Sequence, residues 1–464
     1  MPCQFSLSYA SSFEPSSTFD PNSENAFGNK CQFTFFEETQ MISSDGKEWC
    51  PFHLPLTDSS GNSTEKKAWL FFVQAQFGGL LFQYIEERRK QDKPIDLCGL
   101  VHWDRLSFPM AYGNDLSDAQ TIPYENLPAL ALDGAHFPRG VDFQTLHFAK
   151  PVYARNVFFG NQADFAMTHF SSDADFSGSV FKGDANFFQS RFEKNAIFYG
   201  ARFQQNLVFA SAEFSETADF SLHNLYHSFL PSHPADESIR TALFHHAKFL
   251  GHSRFNDRVF LSGPNFQQAQ FSVAPEFHNC SFHQSANFDG AKFLDTSSDF
   301  ADHAYRTLKL AMERLGARDE QAMFFALEQQ ARVMKPTTSR SVKIFSHLYG
   351  ILSDYGQSFV RPFIFLALVT AIFGFAYTLN FLFVGNGQPP SFGFVINFTL
   401  EQLIRPFSIW APDSLKKLGI ASGMPADPTA SELVLKSLST LHALLSLGLI
   451  ALALLALRRR FKLD

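Results

Sequence analysis

Hydrophobic and polar positions alternate with an unusual beat from Leu132 to Phe300. Phenylalanine recurs at 137, 143, 148, 159, 165, 170, 176, 181, 187, 192, 198, 203, 209, 214 and 220, so the spacings alternate between five and six residues. The true period is therefore eleven. One series runs Phe143, Ala154, Phe165, Phe176, Phe187, Phe198, Phe209, Phe220, and a second runs Phe137, Phe148, Phe159 and onward to Phe214 and Leu225. The same beat returns from Phe244 to Phe293. Two residues before each Phe stands a small or apolar residue, such as Ala163, Ala174, Ala185 or Ala196, and between them a polar one, such as Asp164, Asp175 or Asn186. In extended chain, positions i and i−2 share a face and i−1 points away. Each unit is thus a very short strand with Phe and Ala inward and Asp or Asn outward. Nothing recurs at 3.6 residues, so a helix is excluded. Turns arrive too often for a flat sheet. The pattern predicts a solenoid whose coils bury their inward pairs only by stacking on the next coil.

The units Ala163-Asp164-Phe165 and Ala174-Asp175-Phe176-Ser177-Gly178 resemble the pentapeptide-repeat family, in a Phe-rich form with an eleven-residue double repeat. The resemblance implies an all-β, right-handed quadrilateral β-helix with stacked central aromatics. Two units would make a coil of roughly 22 residues, giving on the order of seven coils and about 30–35 Å of length at the strand spacing. Phe165, Phe176, Phe187, Phe198, Phe209 and Phe220 are expected to form the core ladder.

Between Leu225 and Phe244 the rhythm lapses, and residues 226–243 read as a loop inserted into one coil. His223, His227, His233, His245 and His246 gather around it and are expected to be solvated. Residues 1–131 read as an N-terminal capping region, with a helix over Ala68–Arg89 and partial disorder in the first 40 residues. Leu97, His102 and Phe108 suggest that the coil rhythm starts near Ile95, with Pro109–Ala131 as an inserted loop. Cys31, Cys50 with His53, and Cys98 with His102 have CxxH and CxxxH spacings compatible with zinc. The pairs are far apart and no second CxxC joins them, so ordinary buried thiols and a core imidazole are the preferred reading and no cofactor is assigned.

After Phe300 the period changes. Tyr305, Leu308, Met312 and Leu315 fall at helical spacing, Gly316 interrupts, and Ala322, Phe325, Leu327 and Val333 continue. Residues 301–358 are read as a helical collar. The wording Tyr305-Arg306-x-Leu308-Lys309 and Phe325-x-x-Glu328, then Ser353-Asp354-Tyr355-Gly356-x-Ser358-x-x-Arg361-Pro362, resembles the junction between solenoid and membrane in a group of bacterial pentapeptide-repeat membrane proteins. Residues 359–464 form the expected membrane region. The stretches 362–384 and 437–457 carry no Asp, Glu, Lys or Arg and are long enough to span a bilayer. Lys335, Arg340, Lys343 and Arg361 precede the first, and Arg458, Arg459, Arg460 and Lys462 follow the second. Positive charge on both outer flanks places both termini in the cytoplasm of a bacterium, with two α-helices crossing the inner membrane. The segments Phe392–Leu400 and Leu403–Trp410 are apolar but too short to span, and are expected to be interfacial or re-entrant, with Trp410 as anchor.

Composition narrows function. A net charge of −7 and pI near 6.1 argue against nucleic acid as partner, and five Cys without a disulfide framework suggest a reducing compartment. Met1–Gly28 lacks the apolar run of a signal peptide. No motif for nucleophilic, phosphoryl-transfer or paired-carboxylate chemistry stands out, so no catalytic residue is assigned and an enzyme is not expected. The expected function is binding: a membrane-anchored cytoplasmic scaffold for a protein partner, in a homo-oligomer. The alternative is an oligomeric two-span channel, with segment 392–410 dipping into the bilayer, Asn397, Thr399, Glu401 and Arg405 near its path, and the β-helix as regulator.

Overall fold

The computed structural model describes residues 3–5, 31–33, 41–69, 71–107, 127–222, 238–384, 391–404 and 430–461. They fall into two compact units, residues 1–317 and 318–464.

The first unit is a Phe-rich β-solenoid of about seven coils, which fits the pentapeptide-repeat fold. Its strands are mostly two residues long and pair in parallel with the strand one coil away. Phe158↔Val180, Ala163↔Ala185, His169↔Arg191 and Ala174↔Ala196 each span 22 residues. The chain visits four parallel ladders in turn, two of them seven-stranded, before returning to the first. A left-handed backbone residue recurs two positions after each central Phe or its equivalent, at Thr145, Asn156, Met167, Gly178, Gln189, Gly200 and Ser211. This bend turns the chain from one strand to the next, and it explains the Gly after Phe176-Ser177.

The rings form columns. Phe165 stacks on Phe187 at 4.8 Å and Phe187 on Phe209 at 4.6 Å, while Phe176 stacks on Phe198 at 5.0 Å and Phe198 on Phe220 at 5.1 Å. The eleven-residue series is therefore two columns, not one. Members eleven apart meet edge to face, as Phe176 and Phe187 do at 5.6 Å and 81°. Stacking along a column and T-contacts across it are the two favoured aromatic geometries, so the alternation satisfies both. All six rings are fully buried, as are Ala163, Ala174, Ala185 and Ala196.

The ladder begins at Ile95, well before residue 132. Ile95 pairs with Leu130 and Leu106 with Val141, each 35 residues on, so the first coil carries 13 extra residues. Leu127, Leu130 and Ala131 already stand in the ladder, which shortens the expected 109–131 loop; Phe108 lies outside the described residues. The second interruption has the same size, since Asn206 pairs with Thr241 and Ala218 with Ser253. The ladder resumes at Ser238 and Thr241, so the loop ends sooner than residue 243. Of the histidines placed there, His223, His227 and His233 lie outside the described residues; His245 and His246 sit on the resumed coil with rings 5.9 Å apart.

Arg258 fills the core beside that interruption. It occupies the small-residue position of its unit, is fully buried, and donates to the carbonyl oxygens of Phe220 (2.5 Å), Ala201 (2.8 Å) and Phe198 (3.4 Å). One coil earlier the equivalent carbonyl, Ser179, accepts from the backbone N–H of Arg202 instead.

Helix α1 (Phe71–Lys90) starts three residues later than expected and packs Leu81 and Ile85 inward, with Tyr84 Oη donating to Asp96 O at 3.2 Å. At the other end α2 (Ala301–Leu315) closes the solenoid. Its Tyr305 is fully buried, meets Phe293 edge-on at 6.0 Å, and donates to Asp295 O at 2.5 Å. The collar tyrosine therefore covers the last rings and satisfies a carbonyl of the last coil.

The second unit contains α3 (Arg318–Met334), α4 (Arg340–Ser353), α5 (Val360–Val384), α6 (Phe392–Ile404) and α7 (Ala430–Phe461). The Ser-Asp-Tyr-Gly motif is a helix stop. Asp354, Tyr355 and Gly356 all have positive φ, and Ser353 Oγ accepts from Gly356 N–H at 3.2 Å. Arg361 returns to pair with Asp354 at 3.3 Å. Helices α5 and α7 contain stretches, Val360–Asn380 and Ser437–Arg458, long and apolar enough to cross a membrane.

Candidate functional sites

Four potential ligand atoms converge in the N-terminal part of the first unit. The Sγ atoms of Cys3, Cys31 and Cys50 and a ring nitrogen of His53 all lie within 4.8 Å of one another. Cys31 Sγ is 3.7 Å from Cys50 Sγ; His53 Nδ1 is 3.3 Å from Cys50 Sγ and 3.6 Å from Cys3 Sγ. The local sequence builds this arrangement. Asp45-Gly46, both left-handed, turn a hairpin whose strands Ile42–Ser44 and Lys47–Trp49 lead directly into Cys50. A tight turn, with His53 N–H and Leu54 N–H both donating to Cys50 O, brings the imidazole back over the thiol. Gln4 N–H donates to Glu48 O at 2.9 Å, which lays residues 3–5 beside the hairpin. Gln32 Nε2 donates to Asp96 O and Cys98 O, which anchors residues 31–33 on the first strand of the solenoid.

Hydrogen bonds from Cys31 and Cys50 stabilise the Cys3 thiolate and hold its pKa far below the usual thiol value. The neighbouring Cys3 pushes Cys31 up to about 12, and burial pushes Cys50 higher still. His53 is fixed from its other side, with Nε2 3.1 Å from Cys98 O. That bond makes Nε2 the protonated nitrogen and leaves the Nδ1 lone pair facing the sulfurs. Phe5 stacks on the imidazole at 3.8 Å, and Phe33 lies 5.2 Å away.

Of the sequence candidates, Cys31, Cys50 and His53 come together. Cys98 and His102 do not join them. Cys98 contributes its carbonyl, and burial holds its thiol well above the ordinary value. His102 is turned to Asp104 O at 2.8 Å and stacks on Trp103. The reason is geometric: in the first coil, Cys98 sits between strand and bend, and its spacing to His102 follows the solenoid and not a ligand loop. The fourth member, Cys3, was missed. The signal was present, because the triplet Cys-Gln-Phe occurs twice, at 3–5 and 31–33. Each copy supplies one thiol and one ring against His53.

In the second unit, α6 packs against both α5 and α7, with Phe373, Tyr377, Val395, Phe398 and Leu435 as the shared core. Tyr377 Oη is 3.3 Å from His442 Nδ1, and Phe373 stacks on His442 at 4.7 Å. Thr399 is buried against α5, its Oγ1 donating to Val395 O at 2.7 Å. Asn397 and Glu401 lie on the open side of α6, one turn apart. Arg405 and Trp410 lie outside the described residues. Thr399 thus faces a different way from Asn397 and Glu401.

Comparison with known proteins returned no matching family model, no matching curated protein and no matching solved structure.

Proposed function

We propose that the chain is a non-catalytic scaffold anchored in the bacterial inner membrane, with a right-handed, four-sided β-helix of the pentapeptide-repeat type held in the cytoplasm. A protein partner would dock on the solenoid's fixed outer face. The observation that carries this reading is the contrast between the two units. The first buries nearly all of its described phenylalanines, whereas α5 and α7 leave Ile364, Phe375, Leu444 and Leu454 more than half exposed. A chain that hides its rings in one unit and bares apolar side chains along two membrane-length helices is built for two solvents. Helix α4 fits the boundary: Ile344, Phe345, Leu348 and Ile351 are exposed, six residues before α5 begins. Lys343 within α4 and Arg361 at the start of α5 precede the first apolar run, and Arg458 closes the second, which favours cytoplasmic termini.

The outer face of the solenoid suits a protein better than a nucleic acid. One ladder presents His147, His169, Arg191, Glu213 and Lys248 in register, with Glu213 and Lys248 paired at 3.3 Å. Mixed signs on a rigid lattice favour complementary recognition over general phosphate binding.

A second reading, a pore built from several copies, has one observation in its favour. Asn397 and Glu401 are exposed on a helix too short to span, beside two that are long enough. Reconstitution of the purified oligomer in planar bilayers separates the two. The scaffold reading expects silent membranes, and currents altered by Glu401→Ala would overturn it. Recovery of the protein in the soluble fraction without detergent would overturn the anchor.

A further inference from the structure

We propose that Cys3, Cys31, Cys50 and His53 form a tetrahedral structural zinc site that fastens the N-terminal segments to the first coil of the solenoid. Zinc bonds to sulfur at about 2.3 Å and to imidazole nitrogen at about 2.0–2.1 Å; tetrahedral angles then separate two sulfurs by about 3.8 Å and a sulfur from the nitrogen by about 3.6 Å. The Cys31–Cys50 separation of 3.7 Å and the Cys3–His53 separation of 3.6 Å match those values, and Cys50–His53 at 3.3 Å is slightly closer. Three soft thiolates and one imidazole are a donor set that selects zinc among the available divalent ions.

The surroundings are those of a metal site and not of a chance thiol cluster. Cys50 N–H donates to Cys3 Sγ at 3.2 Å, a bond that stabilises a thiolate ligand. The remaining imidazole nitrogen is held by Cys98 O, which orients the ring. Three thiolates around a divalent cation leave one net negative charge. The fully buried Lys66 donates from Nζ to Phe52 O at 3.0 Å, on the residue before His53. Four protein donors complete a tetrahedron and leave no open position for a substrate, so the role is structural.

The site also answers a mechanical need. Its ligands come from three separate stretches of a cap with few strands of its own. Gln32 and His53 both end on the backbone of Asp96 and Cys98, where the solenoid starts. A metal knot at this point ties the cap to an end that would otherwise expose strand edges.

The test uses the full chain purified in detergent without chelator. Elemental analysis is expected to return one zinc per chain, and absorption fine structure at the zinc edge three sulfurs and one nitrogen. Cys50→Ser and Cys31→Ser are expected to lose more than nine-tenths of the metal, while Cys98→Ser and Cys280→Ser keep it. If the first two variants fail to fold, the wild-type protein is stripped with a high-affinity zinc chelator. Protease sites should then open before residue 95 while residues 127–222 and 238–293 stay resistant, and added zinc should close them. Metal-free protein with free thiols or with a Cys31–Cys50 disulfide, iron in place of zinc, or zinc that survives Cys50→Ser would each overturn the assignment.

Discussion

Replacing Phe187 by Ala tests the ring columns most directly. Phe187 is fully buried and has six aromatic neighbours: Phe165 and Phe209 stacked at 4.8 and 4.6 Å, Phe176 and Phe198 edge-on at 5.6 and 5.3 Å, and Phe181 and Phe192 farther off at 6.4 and 6.2 Å. Truncating a buried Phe costs about 3–5 kcal/mol, and aromatic pairs add about 0.5–1.5 kcal/mol each beyond area. With six aromatic partners lost and neighbouring coils too regular to collapse into the gap, the cost belongs at the upper end, about 4–5 kcal/mol. Contacts in a solenoid reach only adjacent coils, so the damage should be local. Native-state hydrogen exchange reads it. The N–H groups of Phe165, Phe187 and Gln189 donate to Asn186 O, Val208 O and Ala210 O on the next coil. Their protection should fall about a thousandfold, since each 1.4 kcal/mol is about a factor of ten, whereas coils beyond Phe266 should be unaffected. Phe188→Ala is the control, because that ring is 38% exposed and points outward; its effect should stay within about 0.5 kcal/mol. Equal effects of the two substitutions would refute the inward assignment of one ring and the outward assignment of its neighbour.

Arg258→Ala should destabilise the protein by about 3–5 kcal/mol in chemical denaturation, because it removes donors from three buried carbonyls and opens a cavity at the interruption; an unchanged midpoint would show those carbonyls to be hydrated. Gly263→Ala should impair folding, since an added Cβ would lie 1.9 Å from the backbone oxygen of Ser285; wild-type thermal stability would contradict that close approach. Burial pushes the Asp175 carboxyl above the usual range. A raised carboxyl pKa means that the folded state favours the protonated form, so this group's destabilising contribution grows as pH rises through the folded pKa. Asp175→Asn should therefore stabilise the protein at neutral pH and lose that advantage in acid, read as melting temperature against pH; a pH-independent difference would remove the burial argument. Lys194→Ala, which breaks an exposed 2.7 Å pair with Glu216, should leave the denaturation midpoint essentially unchanged, and a large shift would contradict solvent screening of that pair.

The solenoid was legible because its physics is local and repeated. Phe165, Phe187 and Phe209 are inward for the same reason as Ala163 and Ala185: the two-residue alternation and the eleven-residue return leave no other consistent assignment. The apolar stretches 362–384 and 437–457 were legible for an equally simple reason, since hydropathy and length are properties of a segment alone.

What only the tertiary structure decided lies where distant segments meet. A start of the coil rhythm near Ile95 was legible, but its pairing with Leu130 was not, because a 13-residue excess breaks the periodicity by which a coil partner is recognised. That one eleven-residue series becomes two facing columns depends on the number of strands per coil, which spacing leaves open. The convergence of Cys3 with Cys31, Cys50 and His53, and the exclusion of Cys98, depend on where the hairpin and both Cys-Gln-Phe triplets settle on the first coil. Ligand distances are a matter of three dimensions, and no one-dimensional spacing between residues 3, 31 and 50 encodes them. Periodic order can be read from the chain because each residue repeats its neighbour's environment; a site assembled once from separate segments cannot, because its environment exists only after folding.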